Sequence, residues 1–255
     1  MLCLHAVPEG YCSYIHTPDG KVGRNMDFYP AKALGDLSIV FVNRLHKYHY
    51  LHFGWPGFLG CVTAINENGI MGSILLNESE RYHHDGYPVM LRLEKIMRNA
   101  ATLDDCLKMM DEPTGSPHYI VFSQGKSAIL TYHTDIGLKV EYHHGEQSGN
   151  LTITNKLRNE KLWLDPRRKK MKKLLDQCHQ KPTMDDVTQI MASVAIPGIN
   201  SQVMYKDGDD MYFGVGTSLR EASLSNLWKF NYIEVLQGRY HGEFVNKIQL
   251  KNGRY

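Results

Sequence analysis

The chain has 255 residues, 42% hydrophobic and 22% charged, with a formal net charge of +2. That length and composition fit one globular domain with a full core, and the near-balanced charge argues against a dedicated nucleic-acid binder. Five cysteines (Cys3, Cys12, Cys61, Cys106, Cys178) form no CxxC pair and point to reduced thiols in a cytoplasmic compartment. No apolar run approaches the ~18–20 residues needed to span a bilayer. Met1 to Tyr11 carries Pro8 and Glu9 and reads as neither a signal peptide nor a membrane span.

In chain order, the first feature is a hairpin over Gly10 to Tyr29. Cys12 to Thr17 is β-branched and aromatic, Pro18-Asp19-Gly20 is turn chemistry, and Lys21 to Phe28 returns. An Asp-Gly pair at the centre of a type I′ turn predicts that Cys12 lies opposite Asp27. Strict alternation in that register sets Arg24 on the other face, so a bulge or the strand's end must redirect one of them.

Strands follow at 37–45 and 48–53, and 59–65 and 70–77 form a second hairpin around Asn68-Gly69. The period then changes. Pro88 to Ala100 places Val89, Leu93 and Ile96 on one helical stripe, and Thr102-Leu-Asp-Asp105 predicts a capping box for a short second helix. Strands resume at 118–123, 127–133, 138–142 and 151–154. Asp165-Pro166 then caps a helix over 167–178, and Thr183 starts another over 187–194. The last strands are expected at 202–205, 211–215 and 230–236. Blocks of strands separated by paired helices indicate an α+β layered architecture with antiparallel sheets.

A cysteine near the start of the chain, facing a carboxylate, invites a covalent-catalysis reading. The nucleophile must be thiolate, which a free thiol with a pKa of about 8.5 supplies only with a base or a positive field beside it. Cleavage before Cys12 would free an α-amine of pKa about 7.7–8.0, itself able to take the thiol proton. The competing reading is a small buried strand residue. The triplet spacing His46, His49, His52 and the pairs His83-His84 and His143-His144 do not make a metal site, because spacing of three on a strand alternates faces. There is no phosphate or dinucleotide loop, and no cofactor or metal is expected.

Cys12-Ser13, Gly23-Arg24-Asn25-Met26-Asp27, Asn66-Glu67-Asn68-Gly69-Ile70 and Thr154-Asn155, in that order, resemble the N-terminal-nucleophile (Ntn) cysteine hydrolases and acyltransferases. That group includes choloylglycine hydrolases, penicillin V acylases and the isopenicillin-N acyltransferase-like family. Gly86-Tyr87-Pro88 and Thr102 to Asp105 extend the likeness, which covers roughly residues 12 to 236. Two departures stand out: the first hairpin is shorter than the family's, and Asp165-Pro166 stands where the family has Ser or Thr.

The resemblance implies a four-layer αββα sandwich over residues 12–255, with 1–11 as a propeptide or N-terminal extension. It implies an amidohydrolase activated by its own cleavage of Tyr11-Cys12 and acting on linear amides. The alternatives are an N-acyltransferase using the same thioester and an inactive, ligand-binding relative. By resemblance, Cys12 is the nucleophile, Arg24 and Asp27 position the substrate and the new α-amine, and Asn155 donates to the oxyanion. A backbone N–H near Asn77 or Leu76 is the second donor, and Arg167 lies near the site. For Arg167 the competing reading is a solvated basic helix face over 167–173. Trp55, Phe58, Tyr82 and Trp163 are candidates for an acyl pocket. The expected partner is a small-molecule N-acyl amide, and exposed sheet edges leave room for a homo-oligomer.

Overall fold

The computed structural model describes residues 10–77, 86–115, 117–134, 137–155, 165–178, 181–217 and 221–245. Fourteen strands among them form two antiparallel seven-stranded sheets. The first contains β1 (Gly10–His16), β2 (Val22–Phe28), β10 (Leu151–Thr154), β11 (Asn200–Asp207), β12 (Asp210–Val215), β13 (Leu227–Asn231) and β14 (Gly242–Val245), in the order β10-β1-β2-β11-β12-β13-β14. The second contains β3 (Ile39–Asn43), β4 (Tyr50–Gly54), β5 (Thr63–Asn66), β6 (Ile70–Leu76), β7 (His118–Gln124), β8 (Ser127–Thr134) and β9 (Gly137–His144), in sequence order.

Helices α2 (Val89–Asn99) and α3 (Leu103–Lys108) pack on the outer face of the second sheet. Helices α4 (Pro166–Asp176) and α5 (Met184–Val194) pack on the outer face of the first. The layers therefore run αββα, as the resemblance implies. The core between the sheets joins Tyr14, Met26 and Met204 of one to Phe53, Leu75 and Tyr119 of the other. A second cluster, with Met171, Leu174, Val187 and Met191, seals α4 and α5 onto the first sheet. Among the described residues no helix is long and apolar enough to cross a membrane.

Local signals account for the helix starts. Thr102 and Thr183 each make a complete capping box, with Asp105 and Asp186. Asp165 accepts from the backbone N–H of Arg167 and Arg168, with Pro166 in the first turn. Three segments differ from expectation. Residues 232–236, read as strand, form helix α6 (Tyr232–Leu236), because Asn231 caps it by accepting from the Glu234 N–H. A short helix α1 (Ala31–Asp36) and the edge strand β14 carry no pattern that separates them from loop.

The first hairpin differs in register. Its loop holds three residues, Pro18-Asp19-Gly20, closed by Thr17 N–H to the Lys21 carbonyl and Gly20 N–H to the Thr17 carbonyl, both at 2.9 Å. Gly20 alone among them has positive φ, at +94°, so the turn is of the three-residue kind ending in a left-handed glycine, not type I′. Cys12 therefore pairs with Met26, Tyr14 with Arg24, and Tyr11 with Asp27.

Candidate active site

That one-residue correction decides which side chains meet. Directly opposed residues share a face, so Cys12, Tyr14, Arg24 and Met26 point between the sheets, while Ser13, Asn25 and Asp27 point toward the helices. The contacts agree. Arg24 Nε donates to Thr63 Oγ1 of the second sheet at 2.7 Å, and its Nη2 donates to the Ile74 carbonyl. Asn25 Nδ2 donates to the Met191 carbonyl of α5 at 2.7 Å. The expected Cys12–Asp27 pairing is thus replaced by Cys12–Arg24 proximity, with Arg24 Nη2 3.7 Å from Cys12 Sγ. No bulge is needed to turn Arg24 inward.

Asp27 still reaches the site, from the helix side at the end of β2. Its Oδ1 accepts from Asn200 Nδ2 at 2.7 Å, and Arg167 Nη1 lies 3.8 Å from its Oδ2. Asn200 is held in turn by the Ser223 N–H, which donates to its Oδ1 at 2.6 Å. β11 is irregular at this point, its register against β2 shifting between Asn200 and Gln202.

Asn155, one residue past β10, closes the third side. Its Oδ1 accepts from the Cys12 backbone N–H at 2.6 Å and from Arg167 Nη2 at 3.1 Å. Its Nδ2 donates to the Leu76 carbonyl at 3.0 Å. Asn155 thus grips the nitrogen side of the Tyr11–Cys12 peptide bond. The Asn77 N–H, expected to face the site as a donor, instead donates to the Pro117 carbonyl at 2.9 Å and extends the β6–β7 pairing. Leu76 contributes a carbonyl to the site, not an N–H.

Arg167 is turned inward, with 19% of its side chain exposed, while Lys169, Lys170, Lys172 and Lys173 of the same helix face solvent. The basic run is therefore a solvated face except at its first turn. Among the acyl-pocket candidates, Trp55 packs against Phe28 and Phe58 with ring centroids 5.8 and 5.7 Å apart. Tyr82 and Trp163 lie outside the described residues, as do His83 and His84. His49 faces Glu67 at 3.5 Å, and His52 stacks on Phe41.

Burial dominates the electrostatics. It pushes the Cys12 thiol above its ordinary value; Arg24 and Arg167 pull it back, and Asp27 reinforces the rise. Burial also raises Asp27 to about 7, against the opposing pull of Asn200, Arg167, the Ile196 N–H and Arg24. The net shift favours the protonated thiol. Arg24 Nη1, Asp27 Oδ2 and Arg167 Nη1 are buried with no hydrogen-bond partner among the described residues. Asp27 Oδ2 and Arg167 Nη1 face each other at ion-pair distance, 3.8 Å, so these buried charges beside the thiol are held by charge attraction in place of hydrogen bonds at those atoms.

A family profile described as acyl-coenzyme A:6-aminopenicillanic acid acyl-transferase matches residues 16–206. The chain belongs to this acyltransferase family. The match starts four residues after Cys12 and includes Arg24, Asp27, Asn155 and Arg167. No curated protein sequence matches the chain. Solved structures share the fold. A Caenorhabditis elegans N-acylethanolamine-hydrolyzing acid amidase ortholog aligns at 14% identity with a TM-score of 0.62, covering 76% of this chain and 91% of its own. Penicillin V acylase from Agrobacterium tumefaciens aligns at 11% identity and TM-score 0.59, covering 86% and 91%. A mutant conjugated bile acid hydrolase from Clostridium perfringens gives 11% and 0.59, covering 93% and 96%.

Thr63 and Asn200 were not found from the sequence. Each acts by holding a charged partner 39 or 173 residues away, and no local pattern announces such a role.

Proposed function

We propose that this member of the acyltransferase family is a self-processing amidohydrolase that cleaves linear amides through a Cys12 acyl-enzyme. The observation that carries the reading is the Cys12 N–H held by Asn155 at 2.6 Å while Arg24 sits 3.7 Å from the thiol sulfur. Cleavage of Tyr11–Cys12 frees residues 12–255 and turns that nitrogen into an α-amine. The amine takes the thiol proton, Asp27 and Asn155 orient it, and Arg24 with Arg167 supply the field that favours thiolate. Thiolate attack on an amide carbonyl expels the amine product, and water then releases the acid. Donation from Asn155 Nδ2 to the tetrahedral oxyanion competes with the Leu76 carbonyl that takes it in the uncleaved chain. The scheme needs no metal or cofactor. The four described cysteines are free thiols, which suits a cytoplasmic location.

Intact-mass measurement tests the reading. A wild-type chain beginning at Cys12, with Cys12→Ala remaining full-length and without amidase activity, supports it. A full-length wild type that does not react with thiol reagents would leave only a ligand-binding role. The family profile's own description favours a second reading, N-acyl transfer from the same thioester. Adding a free amine separates the two: a new N-acyl product at the expense of free acid marks transfer, and unchanged acid release marks hydrolysis.

A further inference from the structure

The self-cleavage in that reading needs the Tyr11 carbonyl presented to the Cys12 sulfur, and the hydrogen bonds above fix only the nitrogen side of the bond. On the carbonyl side stands Tyr11 itself. Its side chain is 37% exposed, opposite Asp27 in the β1–β2 pairing. The Arg167 guanidinium lies over its ring, 5.6 Å from the centroid. The same guanidinium donates through Nη2 to Asn155 Oδ1, which also accepts the Cys12 N–H. One arginine therefore contacts Tyr11 directly and reaches the Cys12 N–H through a shared acceptor, Asn155 Oδ1. A strand that merely ended here would need neither the ring contact nor the shared acceptor.

We propose that Tyr11 is a positioning residue for its own removal: its ring, docked under Arg167, holds the Tyr11 carbonyl in the orientation that Cys12 attacks. The inference rests on the self-processing reading above. In the reaction, Cys12 Sγ adds to the Tyr11 carbonyl carbon, the C–N bond breaks, and the thiol proton passes to the departing nitrogen, which becomes the Cys12 α-amine. The Tyr11–Sγ thioester then takes up water, giving the Tyr11 carboxylate and the free thiol. Tyr11 leaves with the peptide, so its contribution is confined to maturation and is absent from turnover.

A face-on cation–π contact that is partly desolvated is in the range that alters a rate by about tenfold, equivalent to ~1.4 kcal/mol in the barrier. The test follows release of the N-terminal peptide by mass in wild type, Tyr11→Phe, Tyr11→Trp, Tyr11→Leu and Tyr11→Ala. Phe and Trp are expected to cleave within about threefold of wild type, and Leu and Ala about tenfold slower, with unchanged thermal midpoints. Arg167→Met, alone and combined with Tyr11→Leu, completes a cycle. Cleavage by the double variant no slower than by Arg167→Met alone ties the effect to the contact. Once cleaved, all Tyr11 variants should hydrolyse amides at the wild-type rate, since they are then the same molecule. Equal cleavage of Leu, Ala and wild type overturns this inference and leaves self-processing intact. A wild type that never cleaves overturns the underlying reading, and a variant with a lowered midpoint is judged by the Phe and Trp rescue.

Discussion

The two ends of the β1–β2 hairpin each carry a carboxylate, and the fold treats them in opposite ways. At the turn, Asp19 meets partners within two residues: Thr17 Oγ1 at 2.5 Å and the Lys21 ammonium. Burial pushes its pKa up, but Lys21 and Thr17 together outweigh that, and the net shift is downward. At the open end, Asp27 draws on Asn200 and Arg167, from distant parts of the chain, and burial carries it up to about 7. A carboxylate satisfied by its neighbours in sequence serves the turn. One desolvated, with an oxygen that has an ion pair but no hydrogen bond, is held at a cost that fits the catalytic role proposed for it.

The two shifts have opposite consequences for stability. A lowered folded pKa stabilises above the unfolded value and is lost as pH falls. A raised one stabilises below the unfolded value and is lost as pH rises through the folded value, here between about 4 and 7.

The largest expected effect comes from Asp27→Asn. Self-cleavage and amide hydrolysis should each fall by about 100-fold, the scale of misplacing a reacting group by about 1 Å. In a Cys12→Ala background, which keeps the chain uncleaved, the same change should remove the loss of stability that intact Asp27 produces as pH rises from about 4 to about 7. Thermal melts across that range read it directly; a wild-type-like slope in Asp27→Asn would show that another group titrates there.

Gly20→Ala is the next largest and strikes the turn end. The residue sits at φ +94°, and an added Cβ would lie 2.6 Å from the Gly125 carbonyl oxygen. A loss of about 2–3 kcal/mol in stability is expected, read from urea unfolding, with the rate per folded molecule unchanged. A drop in kcat would mean that the two ends of the hairpin are coupled after all.

Asp19→Asn is the smallest. Losing a partly exposed ion pair should cost ~0.5–1 kcal/mol at pH 7 and progressively less at acid pH as the aspartate takes up its proton, with activity untouched. An equal cost at pH 7 and at acid pH would assign the effect to the Thr17 hydrogen bond and not to charge.

Local chemistry was legible in the sequence. The capping boxes at Thr102 and Thr183, the Asp165-Pro166 helix start, the glycine turns and the two helix pairs between blocks of strands all follow from neighbours a few residues apart. So did the identity of Cys12, Arg24, Asp27 and Asn155 as candidates, through the succession of short segments. Register was another matter. β2 is buried at all seven positions, so no alternation of polar and apolar residues marks which face belongs to which layer. Asp19-Gly20 fits a two-residue or a three-residue loop equally well, and a one-residue slip exchanges the faces of Arg24 and Asp27. Only the packed sheets chose, by giving Arg24 an oxygen on Thr63 and another on Ile74 between them and by giving Asp27 the Asn200 amide on the other side. The sequence by itself determined the elements, their caps and the residues worth watching. The tertiary structure decided which of them face one another, because buried charges are placed by partners that lie far away along the chain.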